Sequence, residues 1–94
     1  MGANRQKMAK IDTLLDKLCA KPTPSDFRFS DLRKVMAYFG YLDSNKGATS
    51  GSRVKFYHPE TKAVLLLHKP HPGDQMAKAA VDSVVDFLKE HGHI

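Results

Sequence analysis

Residues 53–68 constrain the fold of this chain more than any other stretch. Val54 and Phe56 alternate with Arg53, Lys55 and Tyr57. Successive residues of a strand point to opposite faces, so an extended segment here presents one apolar face and one face carrying two cations and a phenol. Ala63-Val64-Leu65-Leu66-Leu67 follows as a continuous apolar run closed by His68. Strands are therefore expected over about 53–58 and 63–68, with Pro59-Glu60-Thr61-Lys62 as the hairpin loop between them.

Helical patterns flank this hairpin. Met8, Ile11, Leu14, Leu15 and Leu18 recur at helical spacing with Lys10, Asp12, Asp16 and Lys17 between them, which predicts an amphipathic helix over about 6–20. Lys21-Pro22-Thr23-Pro24-Ser25 stops it, because proline cannot continue a helix and restricts the residue before it. A second helix is expected from Ser30 as N-cap, with Leu32, Val35, Met36 and Phe39 as its buried stripe and Gly40 as its C′ residue. Tyr41-Leu42-Asp43 reads as a short first strand, and the polar residues 44–52 as a connection. The last helix is expected over about 75–91, with Ala77, Val81, Val84, Phe87 and Leu88 inward and Gly92 ending it. The order helix, helix, three strands, helix predicts an α+β fold: a three-stranded antiparallel sheet with helices on one face. The 94 residues suffice for a single domain, 1–94, made of a helical extension over 1–24 and a core over 25–94.

Charge narrows the classes of function. The chain carries 15 Lys and Arg against 10 Asp and Glu, a formal net charge of +5. The excess is central: Lys46, Arg53, Lys55, Lys62, Lys69 and Lys78 face only Glu60 and Asp74, whereas Lys89 is outnumbered by Asp82, Asp86 and Glu90. Such a distribution suits a polyanion-facing side; the competing reading is charge kept for solubility. Cys19 is the single cysteine, so no internal disulfide forms, and it reads as a small buried hydrophobe. Neither a signal peptide nor an apolar run of membrane length is present, which predicts a cytoplasmic protein without a membrane partner.

Several chemistries are disfavoured. Ser50 and Ser52 do not sit in a Gly-x-Ser-x-Gly elbow, and Lys46-Gly47 lacks the Gly-Lys-Ser/Thr order of a phosphate-binding loop. His68 and His71 have only Asp74 as a nearby carboxylate, short of the converging donor set that zinc requires, so no metal or other cofactor is expected.

Nucleic acid fits the pattern better. Arg53 and Lys55 can meet phosphates while Tyr57 stacks a base, which favours single-stranded RNA; an ordinary solvated sheet face is the alternative. Lys46 in the preceding connection can reach a backbone phosphate. His71, Lys69 and Lys78 fall around the start of the last helix, where a helix N-terminus favours an anion. His71 serves equally well in capping or loop hydrogen bonds. Duplex RNA needs more cations at that helix start than Lys78 beside Gln75 provides. His58 falls on the face opposite Arg53 and reads as a half-buried residue steadying the hairpin, while His91 and His93 read as terminal residues near a helix C-terminus. A winged-helix-like DNA contact through residues 30–41 is the second reading, with only Arg33, Lys34 and Tyr38 available on that helix.

Residues from Asp31 to about Glu90 resemble the HicA family of bacterial toxins, whose fold is similar to double-stranded-RNA-binding domains. The resemblance rests on Tyr38-Phe39-Gly40-Tyr41, the turn Gly51-Ser52, Tyr57-His58-Pro59, the apolar strand, Pro70-His71-Pro72-Gly73 and the closing helix. It implies a small metal-independent endoribonuclease acting on messenger RNA and silenced by a cognate antitoxin protein. The family's usual catalytic histidine directly follows the Gly-Ser pair, and here that position is Arg53. Arginine stays protonated and offers no acceptor, so it cannot serve as the base, although it can clamp a phosphate. Proton transfer near neutral pH then falls to His71, which resembles the family's loop histidine, and next to His68. The non-catalytic alternative is a nucleic-acid-binding module. Because the apolar strand has no polar alternation, some members of Val64, Leu65 and Leu66 must emerge on the outer sheet face. A covering antitoxin, a homodimer through the sheet face, or the first helix are the expected covers.

Overall fold

The computed structural model describes residues 11–43, 53–70 and 73–94, and these form three helices and a three-stranded antiparallel sheet. Helix α1 covers residues 11–18, α2 Phe29–Tyr38 and α3 Lys78–Glu90; strands β1 Leu42–Asp43, β2 Arg53–Tyr57 and β3 Val64–His68 lie between α2 and α3. Met8 falls outside the described residues.

The sheet order is β1-β2-β3. Leu42 pairs with Tyr57, Arg53 with His68, Lys55 with Leu66 and Tyr57 with Val64. The burial alternates along both longer strands. Val54 and Phe56 of β2 and Leu65 and Leu67 of β3 are buried with Leu32, Val35 and Met36 of α2 and Val81, Val84 and Leu88 of α3 in one cluster. Phe29 and Phe56 meet with ring centroids 6.1 Å apart, joining α2 to the sheet. Leu18 of α1 is 1% exposed in the same cluster, with Leu14 and Leu15 packed against it. The Oγ1 of Thr23 donates to Asp82 at 2.6 Å, which fastens the segment after α1 to α3. Cys19, expected to be buried, is only half-buried.

Both well-defined helix ends follow from glycine. Gly40 has φ +94°, and the N–H groups of Gly40 and Tyr41 donate to the carbonyls of Ala37 and Met36. Gly92 has φ +75°, and the N–H groups of Gly92 and His93 donate to Lys89 and Leu88. Each is the paired-bond C-terminal motif that a left-handed residue closes.

The helix starts differ from the sequence expectation. Arg28, not Ser30, occupies the N-cap of α2, and its side chain makes no cap bond. Ser30 instead donates through Oγ (2.6 Å) and through its backbone N–H (3.2 Å) to the Asp74 carboxylate. An acceptor from a distant loop thus does what a local cap would have done. Helix α3 begins at Lys78 rather than 75, because the Met76 N–H is engaged with the Phe27 carbonyl and the Phe29 N–H with that of Asp74. The side-chain amide of Gln75 also donates to the Ser25 carbonyl. This short antiparallel bridge ties the two helix starts together.

Candidate nucleic-acid interface

The outer face of the sheet is built by β2 and β3 in register. The Ala63 carbonyl accepts from the His58 N–H at 2.9 Å, so pairs 58/63, 56/65 and 54/67 are the hydrogen-bonded ones. Pairs 57/64, 55/66 and 53/68 are then the close, non-hydrogen-bonded ones, whose Cβ atoms lie about 5 Å apart. Arg53 is thereby the direct cross-strand neighbour of His68, and Lys55 of Leu66; all four side chains are exposed. Tyr57 is half-buried between Leu42 and Val64, which are 58% and 41% exposed. Leu66 is 63% exposed and Leu65 only 7%, so Val64 and Leu66 are the outward members of the apolar strand. The described part of α1 puts Leu18 into the core and leaves these residues uncovered.

Of the candidate residues, Arg53, Lys55, Tyr57 and His68 therefore share one face. Lys69 lies just past β3, on an open groove of about 480 Å³ that runs between the end of β3 and Gln75, Met76, Ala77 and Ala80. Lys78 is the exposed first residue of α3. Lys69 also acts on its surroundings: the Asp74 carboxyl is held below the usual carboxylate range, first by the Ser30 hydroxyl and then by the Ser30 N–H and the charges of Arg28 and Lys69. Lys46, His71 and the Gly51-Ser52 turn lie outside the described residues.

The α2 surface offers less. Arg33 lies with Nε 2.9 Å from an Asp43 carboxylate oxygen, an ion-pair contact without hydrogen-bond alignment, and its guanidinium carbon sits 5.1 Å from the Phe29 ring centroid. Lys34 pairs with Asp31 at 3.7 Å. Tyr38, 53% exposed, carries no charge and meets the Phe39 ring edge-on at 5.2 Å.

A second cluster was not foreseen. The Tyr41 hydroxyl and His93 Nε2 are 2.9 Å apart, and with Nε2 unprotonated the hydroxyl donates to it. His93 stacks on Phe39 at 4.9 Å, and Tyr41 meets His58 edge-on at 4.9 Å. His58 Nδ1 accepts from the N–H groups of Glu60 (3.2 Å) and Thr61 (3.3 Å), so it holds the hairpin loop from within. Burial, and then the charges of His58 and His91, push the His93 imidazole below its ordinary range; burial raises the Tyr41 phenol. The residues after Gly40 and Gly92 hold equivalent positions at two helix ends, and that repeated Gly-aromatic pattern was the available signal. The cluster is a structural joint between α2, α3 and the hairpin.

No group of three or more His, Cys, Asp or Glu that could hold a metal exists among the described residues. None of their helices is long and apolar enough to cross a membrane. No protein-family model, curated protein sequence or solved structure matches the chain.

Proposed function

We propose that the chain is an RNA-binding protein of the HicA-like toxin kind, with its helices on one side of a sheet whose other side receives single-stranded messenger RNA. The observation that carries this reading is the register of Arg53 against His68 beside Lys55 and Tyr57 on one exposed face. Cations along the backbone and a ring for base stacking are what single-stranded RNA recognition uses, and His68 adds an imidazole to the same patch.

The same placement answers the departure at Arg53. Where the family keeps its histidine, this chain keeps a phosphate clamp, and an imidazole stands directly across the ladder. In the proposed cleavage, His68 takes the proton of a ribose 2′-OH while that oxygen bonds to the adjacent phosphorus. The bond from phosphorus to the 5′ oxygen breaks, and that oxygen takes a proton from His71 or from water. The products are a 2′,3′-cyclic phosphate and a 5′-hydroxyl. Arg53 stabilises the charge that develops on phosphorus-bound oxygens. An antitoxin protein covering this face would silence binding and cleavage together.

Binding to single-stranded RNA, duplex RNA and duplex DNA at two salt concentrations tests the reading. Single-stranded RNA should bind best, and Arg53→Ala with Lys55→Ala should lower the salt slope by about one to two. Unchanged slope and affinity in the folded double variant would remove the sheet face from the site. Cleavage, where present, should survive chelators and be lost in His68→Ala combined with His71→Ala. A wild type that binds RNA but cleaves none is the non-catalytic alternative.

A further inference from the structure

The open edge of β3 is unused by the RNA reading. Strand β3 ends the sheet order, with no strand beyond it among the described residues. Because 56/65 and 54/67 are the hydrogen-bonded pairs with β2, the N–H and C=O groups of Val64, Leu66 and His68 point away from β2, toward the open side. These groups alternate donor and acceptor at every second residue, about 6.8 Å apart, the spacing of another strand's backbone. The same residues carry the exposed aliphatic side chains of Val64 and Leu66, and the groove between Leu66, Pro70, Ala77 and Ala80 opens beside them. An exposed, apolar, unpaired edge is normally blunted by a charge or a proline within it. Between Val64 and Leu67 this strand has neither.

We infer that β3 accepts an extended segment of a partner protein as a fourth antiparallel strand, and that this segment alternates acidic and aliphatic residues. Main-chain pairing supplies the adhesion and alternate side chains supply the selection. The aliphatic residues fit over Val64 and Leu66. The acidic ones are selected by charge: Lys62 stands at one end of the strand, Lys69 at the other, and Thr61 to Gly73 contains no carboxylate. The flanking carboxylates are Glu60, in the hairpin loop, and Asp74, which Ser30 engages. A second copy fits poorly, since antiparallel pairing of β3 with itself about Leu66 would set Lys62 opposite Pro70 and Lys69 opposite Ala63 of the other copy, gathering two lysines at each end of the joined edge between chains of net charge +5. A nucleic acid can use the outward N–H groups but fits less well, because a phosphate has no donor for the outward carbonyls and gains nothing from the aliphatic side chains of Val64 and Leu66.

Amide hydrogen exchange on the full chain, read residue by residue, tests this with an end-blocked (Glu-Val)4 peptide. At a peptide concentration ten times its Kd, exchange at the Val64, Leu66 and His68 amides should slow about tenfold. The Leu65 and Leu67 amides, already bonded to β2, should change little. A peptide N-methylated on the pairing face should lose the effect, and (Lys-Val)4 should be much weaker. A Leu66→Pro variant should fold, since the lost N–H lies outside the ladder, and should fail to bind. No protection at millimolar peptide, or equal protection from (Lys-Val)4, overturns the inference. So does protection of the Val64 and Leu66 amides by an RNA oligonucleotide, His68 being already part of the proposed RNA face, or protection that rises with protein concentration alone, which would assign the edge to a second copy. Loss of RNA binding in the Arg53 and Lys55 variants bears on none of these readouts.

Discussion

Gly40→Ala should destabilise the protein through two separable effects. Gly40 has φ +94°, where a Cβ meets the preceding backbone, and an L-residue in left-handed conformation costs about 1–2 kcal/mol. The added Cβ would also lie 3.0 Å from His58 Nε2 and 3.5 Å from Cδ2. That ring cannot simply retreat, because Nδ1 receives Glu60 and Thr61 and its face receives the edge contact with Tyr41. Weakening one such hydrogen bond costs about 1 kcal/mol. The total is about 2–3 kcal/mol, and at about 4–8 °C per kcal/mol for a domain of this size Tm should fall by about 8–24 °C. Thermal melts of Gly40→Ala, His58→Ala and the double variant resolve the two parts. In the His58→Ala background the glycine substitution should cost only its backbone share, leaving a coupling of about 1 kcal/mol. An equal cost in both backgrounds, or a change within about 0.5 kcal/mol in the wild-type background, refutes the argument.

The joint also gives the protein a pH dependence. His93 binds its proton more weakly folded than unfolded, so stability is intact above the ordinary histidine value of 6.5 and is lost as pH falls below it toward the depressed folded value. Urea midpoints at pH 7.5 and pH 5 should differ more in wild type than in His93→Gln; parallel losses in the two proteins would sink the assignment. Asp74→Ala removes the acceptor for both the Ser30 hydroxyl and the Ser30 N–H, and should lower stability by about 1–2 kcal/mol in chemical denaturation, with Ser30→Ala costing less. An Asp74→Ala protein as stable as wild type would mean that the start of α2 needs no acceptor from that loop.

Local pattern was enough wherever one residue decides a feature by itself. The alternation of Val54 and Phe56 set which β2 side chains face inward, and Gly40 and Gly92 ended their helices where a left-handed residue was needed. Apart from the burial of Cys19, the expectations that went astray depended on a partner far along the chain. Ser30 is a good local cap by type, but Asp74, 44 residues away, takes its hydroxyl. Residues 75–77 have helix-compatible types, yet Gln75 is bridged to Arg28, with the Asp74 carbonyl and the Met76 N–H bonded to Phe29 and Phe27. His93 looked free because it follows a glycine near the end of the sequence; its role depends on Tyr41, 52 residues earlier. Periodicity carries no information about such contacts. The candidate site sat between these cases: the cationic face of β2 was legible, but the pairing of Arg53 with His68 needed the register.

That register follows from the hairpin loop. His58 holds the loop by accepting the Glu60 and Thr61 N–H groups, and its carbonyl accepts the Lys62 N–H at 2.8 Å while its N–H donates to Ala63. With positions 58 and 63 locked opposite each other, counting outward along both strands puts 53 against 68. A slip of one residue would bury Lys55 and expose Phe56, at a cost in desolvated charge and lost apolar burial far above what a loop can supply. The hydrophobic demand of the inner face thus fixes the composition of the outer one. Arg53, Lys55, Leu66 and His68 contribute nothing to the buried cluster, yet their neighbours across the sheet are dictated by Val54, Phe56, Leu65 and Leu67, which do. The core can therefore set Arg53 and His68 opposite each other on the outer face while both stay exposed.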